Sequence, residues 1–502
     1  MHTRNYGRIP VLSQSTKQLI FVCGLFIAAC ILGLGIIAVG GTSSSRTIGL
    51  GLAAVLGLSG IIAVAMDLPV MGLVRFGFVS TFFFKGDLNL FKVDEIEDPS
   101  GLNIPLTLFF GLILLAHDHY FKNVAEDRQR IFPSVFWYLV ISLFGTAAIS
   151  VLYAGATLLG GFSLLSLSTT ILITYIIASH FGRRERMLEL VVAIAAGLLF
   201  TCLVSLSQHA FDFPTNLPNF GTGTEEELLG TQSQILSRVP AFLRTPTEMA
   251  WVVSSLIPLV LAPLVCRVKS IGSTHKVLFF AASIAAVVSV ILSLARGSWI
   301  GVSTTLMLLL LLGWYKLSAY ERSRYFTSAL ATVILAIAVL SPFAGKISDR
   351  LTEDDQGSAL IRVPLMETAL RMIDDNPIVG VGLNGYRPNM TKYDETGIFV
   401  SQVFPNPVHN IFAHITAEIG ILGGILFCLL ILYSLYESVL TMGSGDRLIA
   451  ALSLGLGLGM VAFVISGIKE PGSLGSTRPP IRTCFLLIGV IFALRRIHYR
   501  VI

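Results

Sequence analysis

Long apolar runs separated by short polar links recur along the whole chain. Most are about 17 to 25 residues, the length a helix needs to cross a bilayer. The pattern predicts spans at 18–40, 48–66, 68–85, 104–119, 134–153, 160–179, 188–206, 248–266, 277–295, 298–315, 325–341, 409–436, 448–467 and 482–495. The expected fold is an all-α polytopic membrane protein with about 12 to 14 transmembrane helices. Arg75 interrupts the third run and Gly and Pro flank it, so a re-entrant segment is the alternative there. The first run is too long for the apolar part of a signal peptide and lacks an evident small-residue cleavage site. It reads as a retained span.

Two polar stretches are too long to be mere connectors. They divide the chain into an N-terminal transmembrane bundle (1–206), a first extracytoplasmic loop (207–247), transmembrane helices carrying Arg296 (248–341), a large extracytoplasmic loop (342–408) and C-terminal helices (409–502). Within the large loop, 358–375 has the spacing of an amphipathic helix. Its expected apolar face is Ile361, Leu365, Met366, Ala369, Leu370 and Ile373, with Glu367 and Arg371 one turn apart and Asn376-Pro377 as its stop. A glycine-rich turn, PIVGVGLNGYRPN, follows.

Composition agrees with the pattern: 54% of residues are hydrophobic and 13% charged, with a mean hydropathy of +0.78. The placement of charge adds topology. Basic residues cluster at Arg4, Arg8 and Lys17, at Lys122, Arg128 and Arg130, and at Arg183, Arg184 and Arg186. Further clusters are Arg267, Lys269 and Lys276, then Lys316, Arg322 and Arg324, then Arg495, Arg496 and Arg500. With fourteen crossings and an internal N-terminus, all of these are cytoplasmic, and so are both termini. The two long loops and the turn at Arg296-Gly297-Ser298 then share the outer face. The six cysteines lie within or beside apolar runs at no metal-ligand spacing, and read as small hydrophobes.

The chemistry gathers at the outer face. The span that follows His409-Asn410 returns small residues at Ala413, Thr416, Gly420 and Gly424, a bare helix face open to close approach. His409 stands where this span meets the loop, Arg362 near the start of the loop helix, and Arg296 in the turn between two spans. Each alone is explained by an interfacial or solvated role. Together they suit another task. Guanidinium groups bind phosphate oxygens bidentately and keep their charge, and a histidine can take a proton from a hydroxyl near neutral pH. Two diphosphate clamps and one base fit transfer of a glycan from a lipid diphosphate to a hydroxyl.

Other signals are weaker. Gly380-x-Gly382-x-x-Gly385 follows a helix and opens no βαβ unit, so it reads as a sharp loop and not a dinucleotide site. His117-Asp118-His119 has no third ligand cluster, and no metal is expected there. Arg238 and Arg244 read as solvated. His414 and Glu418 lie deeper in the span, with helix packing as the default and orientation of the site as the sharper option.

These residues carry a family resemblance. His409-Asn410, nine residues, then Gly420-Ile421-Leu422-Gly423 resembles the H-[NSQ]-x9-G-x-x-[GTY] pattern of bacterial O-antigen ligases. Arg362 with ALRMIDDNPIVGVGLNGY is similar to the segment preceding that histidine in the O-antigen ligase and polymerase superfamily, and SLARGSW is similar to its other arginine-bearing site. The chain departs from the pattern in having Val363-Pro364-Leu365-Met366 where an aromatic residue often follows the arginine. The resemblance implies a GT-C-type glycosyltransferase of the bacterial inner membrane, independent of metal and without a cofactor, its site facing the periplasm. It implies His409 as general base, Arg296 and Arg362 as diphosphate ligands, and Asn410, Gly420, Gly423 and Glu418 as supporting residues. The implied donor is a glycan on undecaprenyl diphosphate. Lipid A–core, another lipid-linked repeat, or a protein hydroxyl remain open as acceptors, giving a ligase, a polymerase or an oligosaccharyltransferase. A small-anion, bicarbonate-like transporter is the alternative from another class. Membrane lipids are expected partners and nucleic acid is not.

Overall fold

The computed structural model describes residues 70–83, 87–92, 101–121, 131–155, 157–211, 241, 243, 245–315, 345 and 358–501. The expected spans at 18–40, 48–66 and 325–341 lie outside the described residues, as do the basic clusters near 4–17, 122–130 and 316–324. So do Arg238, Arg244 and most of the first long loop. The chain divides into two compact units, Met1–Val74 and Arg75–Ile502. Of the first, only the start of a helix is described.

Among the described residues, eight helices are long and apolar enough to cross a membrane. They are α3 (Ser134–Tyr153), α4 (Leu158–His180), α5 (Arg184–Phe211), α6 (Pro246–Val265), α7 (Ser273–Leu292), α8 (Arg296–Tyr315), α12 (Ile411–Thr441) and α13 (Arg447–Gly467). A ninth long helix, α14 (Pro479–Val501), carries arginine near both ends of a buried apolar middle. The fold is an all-α polytopic membrane protein. Ile141, Leu152, Leu422, Leu429 and Leu432 are exposed on these helices, as apolar side chains facing lipid would be.

The third run that the sequence reads as a span, 68–85, takes a different form. Its helix α1 is Val70–Ser80, and eleven residues at about 1.5 Å each reach only about 16 Å, short of a bilayer core of about 30 Å. After a turn, strands β1 (Asp87–Lys92) and β2 (Gly101–Pro105) pair antiparallel with an irregularity between Asn89 and Phe91. Helix α2 (Leu106–Phe121) follows, and the Thr81 and Thr107 hydroxyls meet at 2.8 Å. Apolar periodicity cannot separate a short helix and its turn from a span, because both are apolar runs.

The centre of the bundle is the α6–α13 pair. A Cβ on Gly459 would stand 2.3 Å from the Ser255 carbonyl oxygen, and one on Gly455 2.6 Å from that of Pro258, so the two backbones touch. Trp251 of α6 stacks on Phe463 of α13 at 5.1 Å and donates its indole N–H to the Phe463 carbonyl at 3.0 Å.

At one end of the bundle, Arg184 reaches Asp446 at 2.7 Å, Arg496 the Ser179 carbonyl at 2.9 Å and Arg500 the Gly182 carbonyl at 3.1 Å. Asp118, from the His117-Asp118 pair noted above, sits here too. It faces His180 Nδ1 at 2.9 Å and accepts from Arg186 at 3.0 Å, while Arg75 donates to His180 Nε2 at 3.1 Å and to Glu189. This network ties helix ends together. The opposite end holds the residues described next.

Candidate functional site

The segment 358–410 folds over one end of the bundle. Helix α9 (Ser358–Asp375) buries Leu365, Ala369 and Met372 against Ala417 of α12, with Ile361, Met366 and Ile373 at the margin. The expected face therefore turns slightly: Leu370 is exposed and Met372 is buried. Asn376 ends the helix, donating to the Met372 carbonyl at 3.3 Å and to the Tyr393 hydroxyl at 2.9 Å. Arg371 reaches Glu395 at 3.6 Å. Two short helices, α10 (Tyr386–Tyr393) and α11 (Val400–Val403), complete the fold. Asp394 accepts from the Thr396 and Ser401 amides at 3.0 and 2.7 Å, which holds its carboxyl below the usual range despite partial desolvation.

Helix α12 begins two residues later than its apolar run suggests. Asn410 is extended and caps it, its side-chain oxygen accepting from Phe412 and Ala413 amides at 3.0 and 3.1 Å. His409 is the residue just before the cap, half-buried, its ring tilted against Phe404 at 5.7 Å. Its Nδ1 has no hydrogen-bond partner among the described residues. Burial, and then the charges of Arg362, Arg478 and His414, push its pKa down to about 4. His409 is therefore a neutral imidazole at physiological pH.

The stripe of small residues on α12 is not a smooth helix face. The helix breaks at Ile419 and Gly420, where Gly420 has φ 77° and ψ 173°, a conformation only glycine adopts at little cost. The glycine-rich turn fills the break. Val381 and Gly382 donate their amides to the carbonyls of Ala417 and Glu418 at 2.9 and 3.0 Å, and Ile421 donates to the Pro377 carbonyl at 2.8 Å. Ser150 of α3 adds a hydrogen bond to the Glu418 carbonyl at 2.6 Å. The Ala417 and Glu418 carbonyls and the Ile421 amide at the break thus find partners, as a broken helix at membrane depth requires. Gly380, with φ 69°, has no room for a side chain: its Cβ would lie 2.4 Å from the Glu418 carbonyl. Gly423 stands where a Cβ would meet Ile419 at 2.4 Å. What approaches the bare face is the chain's own loop.

One helical turn apart, His414 and Glu418 face each other, with Nε2 3.3 Å from Oε1. Ser473, from the link between α13 and α14, donates to Glu418 Oε2 at 2.5 Å. The Tyr386 ring meets His414 edge-on at 5.0 Å, its hydroxyl donates to the Leu365 carbonyl at 3.1 Å, and burial pushes that hydroxyl's pKa up. Together with Asn384, Arg387, Pro407, Ser476 and Arg478, these residues line a small open pocket.

Arg362 is exposed on α9, near enough to His409 for its charge to bear on the ring. Arg296 heads α8 at the same end of the bundle, where Gly297 lies against Lys469 and the Ser298 hydroxyl is 3.5 Å from that of Ser466. It is not among the pocket-lining residues. Arg387 and Arg478 are the additions. Arg478 lies 3.7 Å from Glu248 at the start of α6. The sequence carries a signal for it: the link 468–481 is short, rich in Gly, Ser and Pro, and emerges on the same side as the large loop.

Residues 281–428 match the family model described as O-antigen ligase, a stretch that holds Arg296, Arg362 and His409 but not Arg478. No curated protein matches the chain.

Proposed function

We propose that this polytopic membrane protein is an enzyme of the O-antigen ligase and polymerase superfamily, as the family match over residues 281–428 supports, and that it transfers a glycan from undecaprenyl diphosphate to an acceptor hydroxyl at the periplasmic face. The observation that carries this reading is the His409 imidazole close enough to Arg362 and Arg478 for both guanidinium charges to bear on it, with Arg478 also lining the polar pocket. Arg362 and Arg296 bind the donor's diphosphate and Arg478 supports them. The lone pair of His409 takes the proton of the acceptor hydroxyl. The hydroxyl oxygen forms a bond to the donor's anomeric carbon as the bond to phosphate breaks, and the electron pair leaves on the diphosphate, whose growing charge the arginines offset.

Orientation follows from charge. The end opposite the pocket carries Arg183, Arg184, Arg186, Arg267, Arg496 and Arg500, which by the positive-inside tendency face the cytoplasm of the inner membrane. The chemistry of the site assigns no specific acceptor, and lipid A–core, a second lipid-linked repeat and a protein hydroxyl all supply the nucleophile.

The test is to incubate purified protein with undecaprenyl diphosphate-linked glycan and those three acceptors, and to identify the product. Glycan joined to one acceptor, with undecaprenyl diphosphate released, supports the reading. Uptake of labelled bicarbonate that depends on Arg296, with no glycan transfer, overturns it in favour of transport.

A further inference from the structure

Within the pocket, one carboxylate is held from every side. The backbone carbonyl of Glu418 is fixed by Gly382 and Ser150 at the break in α12, and the residue is 1% exposed. Its Oε2 accepts from the Ser473 hydroxyl and its Oε1 faces His414 Nε2. In the neutral ring the proton belongs on Nε2, because an ionised carboxylate facing it has only lone pairs to offer. That choice leaves Nδ1 of His414 as an acceptor. His414 is 5% exposed, lines the pocket, and has no hydrogen-bond partner at Nδ1 among the described residues. A buried acceptor with nothing to accept from is costly unless a ligand supplies the donor.

The rest of the lining narrows that donor. Arg387 and Arg478 only donate, Asn384 and Ser476 do both, and Pro407 and Pro471 contribute ring surfaces. An ionised phosphate has no proton to give Nδ1 and would meet its lone pair unfavourably. A saccharide suits the whole set, because each hydroxyl donates and accepts at once and the ring lies on flat apolar surfaces. We propose that this pocket is a saccharide subsite adjoining the diphosphate clamp and sharing Arg478 with it, in which His414 accepts a hydrogen bond from a sugar hydroxyl. Glu418 acts through His414 as a positioning residue. The proposal rests on the transferase reading and names what that same site binds beside the diphosphate.

Two measurements test it. In a ¹⁵N-histidine NMR spectrum of the purified protein, His414 shows the Nε2–H tautomer. Glu418→Gln allows the other tautomer to appear. An Nδ1–H signal in the unmodified protein overturns the proposal, whether or not the protein transfers glycan. The second is steady-state transfer from undecaprenyl diphosphate-linked glycan to the acceptor that the unmodified protein uses. His414→Phe keeps a ring and loses the acceptor nitrogen, and Glu418→Gln is the milder variant. Each raises one KM about tenfold while kcat stays within about threefold, the signature of lost ground-state binding. A raised acceptor KM assigns the sugar to the acceptor, and a raised donor KM assigns it to the donor glycan. If both KM values are unchanged in both variants while the unmodified protein is active, the subsite is wrong and the transferase reading stands. No transfer by unmodified protein to any acceptor would sink the transferase reading instead.

Discussion

Gly420 and Ile378 meet backbone to backbone: a Cβ added to Gly420 would stand 2.1 Å from the Ile378 carbonyl oxygen. This contact seats the glycine-rich turn in the break of α12 and so fixes the Glu418 side chain and, one turn earlier, His414.

Gly420→Ala is expected to lower the stability of the purified protein by at least about 1–3 kcal/mol, from backbone strain alone, and to abolish transfer. Thermal unfolding in detergent reads the first and a transfer assay the second. Gly161→Ala is the control. It lies in α4 with nothing within 4 Å of its Cβ position, so it should gain about 0.4–1 kcal/mol and leave activity alone. Equal melting temperatures for the two variants would contradict the role given to the break.

Asn410 serves His409 through the backbone. Asn410→Ala removes two hydrogen bonds at the start of α12 and is expected to cost about 0.5–2 kcal/mol. Transfer should fall through kcat, because the residue before the cap loses its fixed position. Asn410→Asp and Asn410→Ser can cap and should recover most of both. Loss of activity in these variants as large as in Asn410→Ala would point to direct contact with substrate instead.

How far the sequence alone reaches can be argued from particular residues. The long helices are legible because 3.6-residue periodicity hardly matters in lipid and run length suffices. Residues 68–85 mislead because an eleven-residue helix and the turn after it share the apolar composition of a span. The break at Gly420 is hidden: IFAHITAEIGILGG contains no proline, and a glycine there reads equally well as a packing residue. Only the hydrogen bonds from Val381 and Gly382 distinguish the two. Arg362 and His409 stand out in the sequence because a charge and an imidazole occur where apolar runs end. Arg478 and Ser473 escape, since they come from a link more than sixty residues further along that nothing local ties to His409. Leu370 and Met372 exchange roles because α9 packs on a neighbour whose contact line periodicity does not specify.

The depressed pKa of His409 makes a signed forecast. A base must be deprotonated to act, so the rate falls as pH drops through its pKa. The acid limb of kcat/KM, which reports the free enzyme, should lie near pH 4 and not near 6.5. Bound diphosphate brings negative charge to the ring and favours its cation, so the limb of kcat should lie at higher pH than that of kcat/KM. Arg362→Ala removes a positive charge and should move the kcat/KM limb upward while raising the donor KM. A limb near 6.5 that Arg362→Ala does not move would show that some other group takes the proton.

At the far end, Asp118→Ala leaves His180 and Arg186 without their shared carboxylate. It is expected to destabilise the protein by about 3 kcal/mol. In protein that remains folded at low temperature, donor and acceptor KM should match those of the unmodified chain. A selective change in either KM would mean that the network reaches the pocket.

The central claim is that a single imidazole, set among guanidinium groups, takes the proton of the attacking hydroxyl. Single-turnover transfer from undecaprenyl diphosphate-linked glycan by His409→Ala protein tests this most directly. The account predicts retained donor binding and a rate about 10²–10⁴-fold below that of the unmodified chain. Transfer at the unaltered rate would contradict it.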